Sequence, residues 1–286
     1  MKNVILVLKG FFMGIANVIP GVSGGTIALI LGIYEEFIGA INTIFKKFKE
    51  NLKFLVPVFI GMGLSIITTS KIVGYSYEHY PLPTILFFVG LVFGGIPMLV
   101  RNVKGKRGSK NINNYIIALL TFALVIFMSS YELFFGMGYK VDFESMNLFG
   151  YILLFLVGVI AAATMVIPGI SGSLVLMILG YYYPVINTIN GVLINDVFHN
   201  LMVLGVFGIG VVVGIVLISK LIDYLFKKYK IKTYYGVLGF VVASIIAIPL
   251  SACSKLESIP VTIPQAIVAI ILLVGGTLIS YKLGDK

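Results

Sequence analysis

Apolar residues run in long stretches along the chain, and polar residues gather in short breaks between them. The runs over 54–70, 84–100, 112–128, 201–219 and 265–281 are each long enough to cross a hydrocarbon core of about 30 Å as helices. Two places depart from this pattern. Residues 19–34 read I-P-G-V-S-G-G-T-I-A-L-I-L-G-I-Y and residues 167–182 read I-P-G-I-S-G-S-L-V-L-M-I-L-G-Y-Y. Nine of the sixteen positions are identical at a constant offset of 148. Each block sits between apolar stretches that read as too short to span; Val4 to Val18 makes only about 22 Å of helix. The pattern predicts a broken, re-entrant hairpin at each block, with Pro20-Gly21 and Pro168-Gly169 as the breaks.

The duplication extends past the blocks. Ser70-Lys71 and Ser219-Lys220 match at an offset of 149, as do Gly90 and Gly239. The expected fold is an all-α integral membrane protein, a single membrane domain over 1–286. It holds two repeats, roughly 1–130 and 147–286, each a re-entrant hairpin followed by three transmembrane helices. Three crossings per half invert the second repeat relative to the first, the arrangement around which membrane transporters build central sites.

Composition agrees with a membrane domain. Of 286 residues, 59% are hydrophobic and only 11% charged, too few to solvate a soluble domain of this size. The N-terminal apolar run lacks a cleavage site and leads straight into the first block, so it reads as mature protein. One cysteine, Cys253, excludes an internal disulfide and a cysteine metal site, and no metal or cofactor is expected. His79 and His199 are expected in loops. The net charge of +10 reads as basic loops on the cytoplasmic face, without a nucleic-acid partner.

The distribution of that charge orients the chain. With the N-terminus inside and both hairpins re-entrant, inner loops 45–53, 101–111 and 220–232 plus the termini hold eighteen of the twenty-one Lys and Arg residues. Only Lys71, Lys140 and Lys255 fall outside. Both termini are therefore expected in the cytoplasm.

After each break comes a small polar set: Ser23, Gly24, Gly25 and Thr26, then Ser171, Gly172 and Ser173. Freed backbone at membrane depth is tolerated only inside protein or against a watery cavity. Helices starting at Ser23 and Ser171 would aim N–H groups into the protein centre, while glycines let an anion approach and serines add donors. Two facing tips form a candidate phosphate or carboxylate site; close helix packing with serine N-caps is the plainer alternative. Arg101, at a helix end after Pro97, is a further candidate for gripping a phosphate or for setting orientation. Glu35 and Glu36 follow the first block, where the second half has Tyr183 and Pro184. They are candidates for proton coupling, or for pairing with Lys46 and Lys47 at the inner interface.

The string M-G-I-A-N-V-I-P-G-V-S-G-G-T-I-A-L-I-L-G-I-Y-E at 13–35 resembles a bacterial membrane family long catalogued as a domain of unknown function and now assigned as undecaprenyl-phosphate translocases (PopT). The second block, I-P-G-I-S-G-S at 167–173, supports the resemblance but has Ser173 in place of the second glycine. The resemblance implies return of undecaprenyl phosphate from the outer to the inner leaflet of a bacterial cell membrane, for recycling in wall synthesis. Its implied partners are the prenyl-phosphate lipid and the bilayer, and a homo-oligomer is compatible with it.

Two other functions use similar parts. A secondary transporter of a small soluble anion would place the same tips in a closed aqueous cavity. A membrane phosphatase acting on undecaprenyl pyrophosphate would carry P-G-x-S-R-S, but Gly24 and Gly172 stand where its arginine would be. No histidine lies near either tip in sequence to act as acid or base, so no catalytic residue is expected.

Overall fold

The computed structural model describes residues 2–18, 22–106, 108–135, 141–144, 146–191, 196–253, 256 and 260–284. Pro20, Gly21, Lys140 and Lys255 lie outside the described residues. The described residues form helices and connecting turns without strands, and seven helices are long and apolar enough to span, or nine spans if each bent pair counts as one. The protein is thus a multi-pass, all-α membrane protein.

Six helices follow one another in the first half: α1 (Lys2–Val18), α2 (Gly24–Ile30), α3 (Tyr34–Asn42), α4 (Phe48–His79), α5 (Pro81–Val103) and α6 (Ile112–Phe135). The second half gives α7 (Leu148–Val166), α8 (Gly172–Ile178), α9 (Tyr182–Gly191), α10 (Val197–Lys228), α11 (Lys230–Ser251) and α12 (Ile263–Gly284). Each element has a counterpart of similar length. α2 and α8 have 7 residues each and α4 and α10 have 32 each. The α2–α3 pair bends by 118° and the α8–α9 segment by 110°. Both bends fall where a glycine takes a left-handed turn, Gly32 at φ 69° and Gly180 at φ 79°, a conformation costly for other residues.

A second paired detail joins the long helices. Tyr80 alone separates α4 from α5, and Tyr229 alone separates α10 from α11. Their dihedrals nearly coincide (φ −134°, ψ 59° and φ −129°, ψ 43°). Thr84 Oγ1 donates to the Tyr80 carbonyl at 2.9 Å, and Thr233 Oγ1 donates to the Tyr229 carbonyl at 3.0 Å.

Packing follows glycine. With lipid as solvent, helices associate through close backbone approach rather than through an apolar driving force. The main pairs are α1 with α4, α7 with α10, α5 with α12 and α6 with α11. Exchanging the halves maps this set onto itself. A Cβ at Gly61 would lie 2.7 Å from the Phe11 amide nitrogen, and one at Gly158 would lie 2.6 Å from the Phe207 carbonyl oxygen. Gly90, Gly276 and Gly239 meet facing backbone in the other pairs just as closely. The core draws on both halves, with Ile27, Tyr34, Val58 and Leu99 sharing one cluster with Val166, Tyr234 and Val241.

Two expectations are corrected. The arm before the second block is not too short: α7 has 19 residues, about 28 Å, enough to cross by length. Asn147 caps its start by accepting from the Gly150 amide at 2.9 Å, and the helix runs to Val166, two residues before the proline. Nor do the histidines lie in loops. His79 closes the last turn of α4, stacked on Tyr75 at 4.1 Å, and His199 sits in the first turn of α10, its Nε2 2.8 Å from the Phe143 carbonyl. Helices of 32 residues, about 48 Å, outreach the apolar runs that predicted them.

Candidate functional site: the crossed hairpin tips

The helices after the breaks begin where the polar sets predict. Ser23 is extended (φ −105°, ψ 126°) and starts α2; Ser171 is extended (φ −94°, ψ 121°) and starts α8. Neither side chain caps its own helix. At the first tip that role falls to Asn17, whose Oδ1 accepts from the Gly24 amide at 3.0 Å. At the second, the Ser171 and Ser173 hydroxyls lie 2.8 Å apart.

The two tips cross in the protein interior. α7 stops before Pro168, so its last carbonyls lose helical partners, and Gly169 turns left-handed at φ 86°. The first block supplies the missing partners. Tyr34 Oη donates to the Val166 carbonyl at 3.0 Å, and Ser23 Oγ donates to the Ile167 carbonyl at 3.4 Å. Thr26 Oγ1 accepts from the Gly169 amide at 2.7 Å. Buried backbone groups must be paired, and here one hairpin pairs those of the other. Glycines permit the approach: a Cβ at Gly25 would stand 2.8 Å from the Val166 carbonyl oxygen, and one at Gly169 would stand 2.6 Å from the Phe240 carbonyl carbon.

A cavity of ≈ 300 Å³ lies between the tips. Ser23, Gly24, Gly25, Ser171, Gly172 and Ser173 line it together with Asn17 and Tyr34. Its remaining wall is apolar: Met13, Phe37, Ile41, Phe59, Met62, Met165 and Ile215 among others. Ser23 and Ser171 are each 6% exposed, whereas Phe59 and Met165 at the wall are each 51% exposed. The polar floor is thus deep and the apolar wall reaches the lipid-facing surface. No lining residue is charged, so the site offers an anion neutral donors in an apolar setting.

The other sequence candidates fall elsewhere. Thr26 is buried and spent on the crossing bond. Arg101 lies in the last turn of α5, exposed, its guanidinium 3.4 Å from the Gly284 carbonyl at the end of α12. Glu35 pairs with Lys230 at 3.1 Å and accepts a hydrogen bond from Tyr234, both on α11; the pairing expected with Lys46 or Lys47 is made instead with the second half. Glu36 is exposed in the first turn of α3. Gly172 is tighter than a simple opening, since a Cβ there would meet the Met165 side chain and lie 2.9 Å from the Ala161 carbonyl oxygen. Sequence reasoning missed Asn17 and Tyr34. Tyr34 recurs as Tyr182 in the duplicated block, a signal present but not read as a contact between hairpins.

Deep tips, an uncharged polar floor and an apolar wall reaching the surface mark a membrane protein with a central, partly polar cavity. The chain belongs to the VCA0040-like family, described as undecaprenyl phosphate translocase-like, whose profile matches residues 13–257. It is 34% identical over 281 residues to the polyprenyl-phosphate transporter of Staphylococcus aureus (strain NCTC 8325 / PS 47), covering 97% of this chain and 95% of that one. It is 30% identical over 252 residues to the polyprenyl-phosphate transporter of Vibrio cholerae serotype O1, covering 83% of this chain and 75% of that one. No solved structure matches it.

Proposed function

We propose that this protein is a polyprenyl-phosphate transporter of the bacterial plasma membrane, not an enzyme, and that it returns undecaprenyl phosphate from the outer to the inner leaflet. The observation that carries the reading is the cavity between the crossed tips. It joins neutral hydrogen-bond donors at its floor to an apolar wall at the protein surface. A lipid phosphate needs both: donors for the head group at depth, and a side opening through which the tail stays in lipid. The likeness to two polyprenyl-phosphate transporters over most of the chain supports the substrate class.

In this reading Ser23 exchanges its long 3.4 Å bond to the Ile167 carbonyl for a phosphate oxygen, Ser171 and Ser173 turn from each other to donate to the same group, and Gly24 and Gly25 leave the head group room beside the backbone. The halves 1–130 and 147–286 are inverted repeats with both termini cytoplasmic. Contacts among segments assigned to one side support that arrangement. Arg101 meets Gly284, Glu35 meets Lys230, and Asn42 donates to Asp223 at 2.7 Å, all between segments assigned to the inner face. His199 meets Phe143, and Asn200 donates to the Gly191 carbonyl at 3.2 Å, between outer segments. Proton coupling is placed at Glu35, whose ion pair ties the first hairpin to α11 of the other half.

Proteoliposomes decide the function. The purified chain is expected to move undecaprenyl phosphate between leaflets while leaving inorganic phosphate untransported. Uptake of inorganic phosphate without lipid movement would favour a small-anion carrier and overturn the proposal.

A further inference from the structure

A second cavity, of ≈ 440 Å³, runs beside the first between α6, α10 and α11. Its deep end is formed by Ile167 and Pro168 of the second tip and by Tyr34, which also lines the tip cavity. Ile218, Leu221, Ile222, Leu225 and Phe240 make its walls apolar. Its other end is Tyr229, Lys232 and Thr233, at the α10–α11 junction where Lys227, Lys228 and Lys230 also lie. Leu221 is 52% exposed, so the slot is open along its side to the bilayer.

This order of groups is that of a lipid standing in the inner leaflet: a cation and a hydroxyl at the membrane surface, then an apolar channel towards the midplane. Lys232 is exposed, with its ammonium 5.6 Å from the Tyr229 ring centre, an aromatic–basic pairing suited to the interface. The volume lies in the range of small-ligand sites, enough for part of a long chain whose remainder stays in lipid. We infer that the slot is a cytoplasmic-leaflet station for the polyprenyl phosphate, separate from the tip cavity: Lys232 takes the phosphate at the mouth, and the first isoprene units lie along α10 and α11 towards Pro168. Tyr34, bonded to the Val166 carbonyl, stands between this station and the tips. The inference rests on the proposed transport of a polyprenyl phosphate and adds where the lipid sits on the inner side.

Gly236, on the slot wall, is the position from which to fill it. A Cβ there meets only Ile117 Cγ2 at 3.4 Å and Thr121 Cγ2 at 3.7 Å, so a leucine is accommodated by occupying the slot. The chain has no tryptophan, so Leu225→Trp gives a unique reporter inside the slot. In detergent micelles undecaprenyl phosphate is expected to shift that emission saturably to shorter wavelength. Gly236→Leu and Lys232→Gln, each added to the reporter, are expected to weaken the response at least tenfold. Leu221→Trp, at the exposed wall, is a second filling change, scored by undecaprenyl phosphate bound to the otherwise unaltered chain in native mass spectrometry. Wild-type binding with no emission change, and wild-type affinity in both filling variants, would overturn the slot while leaving the tip site standing. The same shift at equal affinity with phosphatidylglycerol would show a general anionic-lipid groove and also overturn it. No binding of undecaprenyl phosphate by the unaltered chain would overturn the slot and the proposed function together.

Discussion

Tyr34 and Gly169 hold the crossing together by different means. The Tyr34 hydroxyl donates to the Val166 carbonyl, and hydrogen bonds between membrane helices contribute on average about 0.6 kcal/mol and at most about 1.7 kcal/mol. Gly169 combines a left-handed φ of 86° with backbone contact against Phe240, a conformation and a spacing that reject a side chain. Such strain costs on the order of 1–3 kcal/mol before any displacement of α11. Thermal unfolding in detergent is therefore expected to rank Gly169→Ala as clearly more destabilising than Tyr34→Phe. Equal stability of the two variants would contradict this account of the tip. Asn17 shows why sequence alone left the site incomplete. It caps Gly24 from seven residues away across the break, where helical periodicity carries no information.

Glycine placement sets the helix pairs. Gly61 and Gly210 face backbone on α1 and α7, whereas Gly63 and Gly208, two residues away, have nothing within 4 Å of an added Cβ. Gly61→Leu and Gly210→Leu are expected to abolish monodisperse protein in size-exclusion chromatography, and Gly63→Leu and Gly208→Leu to leave it intact. Glu35 acts at the same scale by joining α3 to α11. The pair is partly exposed, with side chains 41% and 52% accessible, and such pairs contribute about 0–1 kcal/mol. Glu35→Gln is thus expected to leave the melting temperature within a few degrees of wild type while flattening the pH dependence of transport. An unchanged transport–pH profile would remove Glu35 from coupling. The helices themselves were legible: identical residues at a constant offset located the breaks, and serines marked the starts of α2 and α8. The true extents of α4, α7 and α10 were not, because their ends are set by polar contacts outside the apolar runs: Asn147 and Asp196 cap the starts of α7 and α10, His199 bonds from the first turn of α10, and His79 stacks on Tyr75 in the last turn of α4.

At the scale of the whole molecule, the halves share an element order, a bend and a tyrosine-separated helix junction, yet they differ in chemistry. Glu35, Glu36 and Lys9 have no charged counterparts at Tyr183, Pro184 and Val157. Related halves with unlike charge can favour one side, and in the proposed topology the basic loops assign the cytoplasmic side. Single cysteines in a Cys253→Ala background are expected to label from the cytoplasm at Phe48→Cys and from outside at Asp196→Cys. Labelling of the first from outside would invert or abolish the assigned topology. The duplication made the shared element order of the halves readable from sequence. The crossing of the tips was not readable, since its bonds join residues 132 to 144 positions apart that share no pattern.

The central claim is that the crossed tips carry the phosphate, and replacing their hydroxyls tests it most directly. Ser23→Ala, Ser171→Ala and Ser173→Ala together remove the donors, while only the 3.4 Å Ser23 bond and the Ser171–Ser173 contact are lost from the fold. One hydrogen bond to a charged group is worth about 1.5–3 kcal/mol, or roughly ten- to hundredfold in binding. In proteoliposomes the triple variant is expected to move undecaprenyl phosphate at least tenfold more slowly than wild type, with a melting temperature within a few degrees of it. Transport at the wild-type rate by the folded variant would contradict the account.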